Sequence, residues 1–378
     1  MNSNSGKKIL YIGTFELPDR NAAALRVLGN AKALRESGNQ VIFAGISKEG
    51  NEDNIIQTQN EVQGFQAYYR RSPDTLKEWL FFIDDIRQYI QLIEHVKSID
   101  MVVFYNFFSI AILKIKRYCK KNNILCTADL TEWYSAKNRK FPVNIMRGID
   151  NEIRMKIIQK HLDGLIVISK YLYDYYKDCK NVIQVPPLVD IDEAKWNKSE
   201  RNTKEKLFLA YVGIPGMKDK FDVLIEALIH VKREVRLDVV GITYEEFICI
   251  CPQYSGKNIK KYQIFFHGKL SHKQALEFVK KADYNVFFRE VNRVSMAGFP
   301  TKFVESISSG IPVITNKTSN LKDYLNNENG ILIEDVTEEA VKEVIENIPN
   351  TMPVQKDMFS YKKYTELFSR WLSKIELT

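Results

Sequence analysis

Short apolar runs alternate along this chain with segments in which apolar residues recur at helical spacing, and the alternation occurs twice. In the first half the runs are 8–15 (KILYIGTF), 41–44, 101–105, 124–130 and 164–169, each bounded by turn or polar residues. Between the first two lies 22–37, with Leu25, Leu28, Ala31 and Leu34 on one helical face and Gly38 placed to end the helix in a left-handed conformation. Strands that are apolar throughout, separated by helices, predict a parallel sheet covered on both faces.

The pattern breaks after Pro186 and Pro187, and 190–206 is charged and aperiodic, which reads as a linker. It restarts with 207–213 (LFLAYVG), a helix from about 222 to 231, and strands at 237–241, 264–268, 284–288, 312–316 and 331–334. The end of the chain, 360–377, carries Tyr361, Tyr364, Leu367, Phe368 and Leu372 at helical spacing. The expected fold is α/β, with two doubly wound Rossmann-like domains, 1–187 and 207–355, joined by a linker at 188–206. They face an interdomain crevice into which the carboxyl ends of both sheets open, where ligands of such sheets bind. The closing segment, 356–378, is expected to pack back toward the first domain.

Composition narrows this picture. The 378 residues suit two α/β cores, and 45% hydrophobic with 27% charged residues is globular. No apolar stretch reaches the ~20 residues that cross a bilayer, and no leader pattern precedes the first strand. The expected location is the cytoplasm or the inner face of the membrane. Five cysteines without paired CxxC spacing and five scattered histidines suggest neither a disulfide framework nor a metal site. Asp190 and Asp192 have metal-carboxylate spacing but sit in the linker, so no metal and no cofactor is assigned. The net charge of +8 is uneven: residues 1–185 hold 27 Lys+Arg against 20 Asp+Glu, the remainder 28 against 27. A basic first half suits a phosphate-bearing acceptor, an anionic membrane or nucleic acid, or is a solubility charge.

The segment 288–316 concentrates candidate chemistry. A strand ends at Phe288 and leaves Arg289 at the sheet edge; a loop carries Arg293; Gly298, Phe299, Pro300 and Thr301 lead into a helix. Pro300 and Thr301 suit a helix start, whose free N–H groups and positive dipole end attract phosphate, and Lys302 adds a charge there. Glu305 lies one turn on, where a carboxylate can accept ribose hydroxyls. Earlier, the strand 207–213 ends in Gly213 and Gly216, which let the backbone approach a pyrophosphate, followed by Lys218.

Together these segments resemble the donor site of family 4 glycosyltransferases, enzymes of the two-domain GT-B architecture. Their motif is Glu, seven residues, Glu, a small-residue helix end and G-x-P-V-I. Glu305 matches the second Glu and SISSGIPVI the rest, whereas the first falls on Ala297, closer to the variant with Gly-Phe-Pro-Ser/Thr-Lys. Lys302 or backbone amides would replace the lost contact. The resemblance extends to Gly13 and Thr14 as a donor-phosphate loop, to the "Asp, apolar strand, Ser" element from Asp163, and to Asp129 and Glu132, where members keep an acidic or histidine residue near the reacting carbon.

The resemblance implies transfer of a sugar from a nucleotide-diphosphate sugar, the co-substrate, with retention of anomeric configuration, as in cell-surface polysaccharide synthesis. Lys218, Arg289, Lys302 and the helix start at Thr301 would stabilise the leaving diphosphate. Asp129 or Glu132 would orient the acceptor or stabilise the cationic sugar. Lys137, Arg139, Lys140, Arg147, Arg154, Lys156 and Lys160, interleaved with Phe141, Ile145, Met146, Ile157 and Ile158, suit a lipid-linked acceptor at an anionic membrane as well as they suit a solvated helix face. The partners expected are the donor and a glycan or lipid-linked acceptor, not nucleic acid. Two alternatives stay open: a non-catalytic glycosyltransferase-like subunit, which Ala297 favours, and a sugar-nucleotide epimerase on the same fold.

Overall fold

The computed structural model describes residues 6–18, 22–134, 143–197, 206–216, 219–350 and 352–376. It divides the chain into two compact units, Met1–Val189 with Ser360–Thr378, and Asp190–Phe359.

The first unit is built on an eight-stranded sheet: β1 (Lys8–Gly13), β2 (Gln40–Ser47), β3 (Asn60–Val62), β4 (Phe65–Arg71), β5 (Met101–Tyr105), β6 (Leu125–Leu130), β7 (Gly164–Val167) and β8 (Val182–Gln184). Its order is β3-β4-β2-β1-β5-β6-β7-β8, parallel except for β3 against β4. The helices are α1 (Ala22–Glu36), α2 (Leu76–Asp84), α3 (Arg87–Val96), α4 (Ser109–Lys121), α5 (Val143–Ile153) and α6 (Lys170–Tyr176). The sequence pattern missed β3 and β4. β4 reads FQAYYRR, with an arginine turned inward, so its apolar signal is diluted: Arg70 is buried and its guanidinium lies over Phe82, 4.3 Å from the ring centre.

The second unit has six parallel strands: β9 (Leu207–Val212), β10 (Val235–Val240), β11 (Ile264–Phe266), β12 (Tyr284–Val286), β13 (Val313–Asn316) and β14 (Gly330–Ile333). The order β11-β10-β9-β12-β13-β14 reverses direction between β9 and β12, the switch point at which doubly wound sheets bind ligands. Its helices are α7 (Phe221–His230), α8 (Tyr244–Ile250), α9 (His272–Lys281), α10 (Arg293–Ala297), α11 (Thr301–Ser308) and α12 (Glu338–Asn347).

The closing segment begins with a 3₁₀ turn, Tyr361–Tyr364, and becomes α13 (Thr365–Glu376). It belongs to the first unit. Phe368, Trp371, Leu372 and Ile375 join the core formed by α1 and the β1–β2 side of the sheet, and the Trp371 indole donates to the Asn181 carbonyl. Burying side chains of this size contributes roughly 1.5–3 kcal/mol each, which anchors the helix without any covalent tie. The chain leaves the first unit at Val189 and re-enters beside it: the Tyr361 amide donates to the Val189 carbonyl at 3.0 Å. The segment read as a linker is partly absorbed into the second unit. Trp196 is buried in a 3₁₀ turn, Ala194–Trp196, while 198–205 lie outside the described residues.

Candidate active site

In the second unit the candidate donor residues meet at the carboxyl edge of β9 and β12. Gly213 ends β9 with φ +121°, a conformation that disfavours any side chain. A Cβ there would lie 2.7 Å from Lys302 Cε and 3.0 Å from its Nζ, so glycine is what lets Lys302 cross the end of the strand. Lys302 is the second residue of α11, with Pro300 at the cap, so the ammonium and the free amides of the first turn share one edge. Its Nζ lies 4.1 Å from the centre of the Tyr211 ring, a cation–π contact. Burial, with the charge of Asp219, pushes the Tyr211 phenol well above its usual range, so the ring stays neutral.

Arg289 is fixed from both sides of its backbone. Its amide donates to Asn316 Oδ1 at 2.8 Å, and Asn316 Nδ2 donates to its carbonyl at 2.7 Å. The side chain is largely buried; its Nε lies 3.7 Å from Asp219 Oδ1 and makes no hydrogen bond. Burial lowers the guanidinium pKa, with Asp219 and Tyr211 acting against the shift. Asp219 is itself held by the Gly216 amide at 2.8 Å, which ties the glycine loop to Arg289 through one carboxylate. The unused Nε is itself buried and faces the Asp219 carboxylate.

Glu305, one turn into α11, is partly buried, and its Oε1 lies 2.9 Å from His272 Nε2 at the start of α9. Arg293 differs from its expected surroundings: instead of riding on a loop it opens α10, capped by Asn292, and its side chain is exposed. Ala297, in place of the first motif Glu, is wholly buried in the same helix. Lys218 lies outside the described residues.

In the first unit Asp129, expected near the reacting carbon, is held by partners of its own. It lies on β6 with no solvent exposure, and its carboxylate accepts from three neighbours: Tyr11 Oη at 2.7 Å, Arg26 Nη2 at 2.8 Å and Nε at 3.2 Å, and Asn30 Nδ2 at 2.9 Å. Arg26 extends the network to the carbonyls of Val185 and Pro186 at 2.7 and 2.6 Å. A buried carboxylate with both oxygens occupied ties α1 to β6. The sequence signal that could have shown this is Arg26 and Asn30, two polar residues four apart inside the apolar pattern of α1.

Glu132, in the loop after β6, is half-buried; burial, joined by the Glu132 charge, pushes the Tyr134 phenol up. Gly13 closes β1 against β5, where a Cβ would lie 2.7 Å from the Tyr105 carbonyl oxygen. Of the basic cluster, Lys137, Arg139 and Lys140 lie outside the described residues, and Arg154 turns inward. It is buried and donates to the Phe107 carbonyl and Asn151 Oδ1. Asp192 donates its amide to Asp190 Oδ1 in a local turn. Among the described residues, Glu226, His230 and Glu338 have ligand atoms within 4.8 Å of one another, on α7 and α12.

This architecture is the GT-B fold. Residues 192–364 match the family model described as "Glycosyl transferases group 1". Similar solved structures span the whole chain. Sucrose-phosphate synthase from Thermosynechococcus elongatus superimposes with TM-score 0.66 at 14% identity over 98% of this chain and 97% of its own. HepE from Anabaena, solved with UDP and glucose, gives 0.65 at 13% over 97% and 99%. The catalytic domain of starch synthase IV from Arabidopsis thaliana, bound to ADP and acarbose, gives 0.63 at 11% over 98% and 100%. Likeness at these identities establishes the fold. No curated protein sequence matches the chain.

Proposed function

We propose that the protein transfers a sugar from a nucleotide-diphosphate sugar to a glycan or lipid-linked acceptor, with retention of configuration. The observation that carries this reading is the convergence of Lys302, the first turn of α11, Arg289 and the Gly213 loop at the switch point of the second unit, within the segment that matches the group 1 glycosyl transferases. Three positive features at one strand edge suit a diphosphate, and Glu305 lies one turn away for the ribose.

In a retaining transfer the acceptor attacks on the face from which the diphosphate leaves, so the charge that grows is on the leaving group. Lys302 and Arg289 neutralise it; both are fixed beforehand, which spares reorganisation as the bond breaks. Arg293 and Thr301 bind the donor, and Gly216 sets the loop through Asp219. Glu132 takes the acceptor-orienting role, since Asp129 is committed to Arg26. No metal enters this account. A thermal-shift screen against nucleoside diphosphates tests it, because a ligand that binds only the folded state raises the unfolding temperature by mass action. The account expects stabilisation by at least one nucleoside diphosphate, lost in Lys302→Ala; a screen without response removes it.

Ala297 favours a second reading, a binding subunit without turnover. Its buried methyl offers the donor sugar no hydrogen bond.

A further inference from the structure

The first unit carries an apolar surface that its own core does not use. α5 turns Asn151 inward, and the π-helical turn that continues it, Arg154–Ile158, buries Arg154, Met155 and Ile158. On the opposite face Ile145, Ile149 and Ile153 recur every four residues and are 50%, 55% and 38% exposed; Ile157 continues the row at 55%, with Met146 beside it. A single exposed isoleucine is ordinary, but a row of four is not. The neighbouring helices carry exposed apolar residues as well. α4 packs against α5, the π turn and α2, and adds exposed Ile110 and Leu113; α2 adds Phe81, 67% exposed.

The charge around this row is mixed on α5 itself, Arg147 against Asp150 and Glu152, and purely basic on α4. α4 holds five lysines and arginines and no acidic residue. Arg147 projects from α5 over Trp79 of α2, 5.4 Å from the ring centre, and Lys156 and Lys160 flank Ile157. The acidic residues nearby are engaged: Asp150 caps α4 by accepting from the Ser109 amide, and Glu152 pairs with Lys156. An apolar row bordered by cations is the signature of a helix lying in a bilayer interface, whereas a protein-binding groove would not require a positive rim. No helix among the described residues is long and apolar enough to span a membrane, which leaves lying on the surface as the mode available to this face.

We propose that the α5 face docks on an anionic lipid surface, its isoleucines entering the acyl boundary and its lysines and arginines meeting headgroup phosphates. The purpose of such docking, access to a lipid-linked acceptor, rests on the function proposed above. The docking itself needs neither donor nor acceptor, so the two fail separately.

The test is sedimentation of the full chain with phosphatidylcholine vesicles, with and without phosphatidylglycerol. The proposal expects binding to the anionic vesicles that survives in part at high salt, because burial of apolar side chains is not screened. Ile149→Ser with Ile157→Ser should reduce vesicle partitioning about 10-fold or more, since two apolar side chains no longer enter the acyl boundary, and both sites are exposed enough to leave folding intact. Circular dichroism and the unfolding temperature confirm the fold of the variant. Three results would overturn the proposal: no binding to anionic vesicles, full retention of binding by the double variant, or a dimer in sedimentation velocity that the double variant dissociates.

Discussion

Arg26 and Asp129 form a fully buried ion pair at 2.8 Å, 103 residues apart, with Tyr11 and Asn30 closing the remaining sites on the carboxylate. The pair joins α1 to β6 and, through Arg26, to the carbonyls of Val185 and Pro186 just before the chain passes to the second unit.

Removing one partner leaves the other charged and desolvated. Asp129→Ala should therefore cost ~3–5 kcal/mol of stability. Urea unfolding followed by circular dichroism measures it. A variant as stable as the wild type but without turnover would return Asp129 to the chemistry.

Glu305 is assigned to the donor ribose, with His272 bonded to its Oε1. Glu305→Ala should weaken nucleotide binding by ~1.5–3 kcal/mol, the range for a hydrogen bond to a charged group. Calorimetric titration that shows unchanged affinity for every nucleotide bound by the wild type would remove the assignment.

Lys302 and Arg289 are assigned to the departing diphosphate. Lys302→Ala and Arg289→Ala should each lower kcat by ~10²-fold or more, because their attraction grows as charge develops. A loss confined to KM would place them in ground-state binding. Gly213→Ala should mimic part of the Lys302 defect, since the new methyl occupies the path of that side chain.

Much of this was legible in the sequence. The alternation of apolar runs and helical spacing located both doubly wound sheets, because strands buried on both faces are mainly apolar. The start of α11 at Thr301 and the left-handed Gly38 were visible as local capping chemistry. Long-range partners were not. Arg26 and Asn30 stand out as polar positions in the pattern of α1, but the sequence does not name Asp129 as their partner, nor His272 as that of Glu305. Only the order of strands and helices brings those residues together. The five-residue helix α10 was also hidden, since it spans little more than one turn and shows no periodicity.

Activity should not require a divalent metal. Turnover is expected to persist in EDTA. Loss that Mg²⁺ or Mn²⁺ restores would direct attention to Asp190 and Asp192, and to Glu226, His230 and Glu338.

The central claim is that the site cleaves a nucleotide-diphosphate sugar with retention. Its most direct measurement is ¹H NMR of the protein incubated with a panel of such donors, reading the anomer of the sugar first released to water or to an added acceptor. The account predicts slow cleavage of at least one donor, with the early product in the donor's own anomeric configuration. An inverted product, a donor bound but never cleaved, or a sugar nucleotide isomerised without cleavage would contradict it.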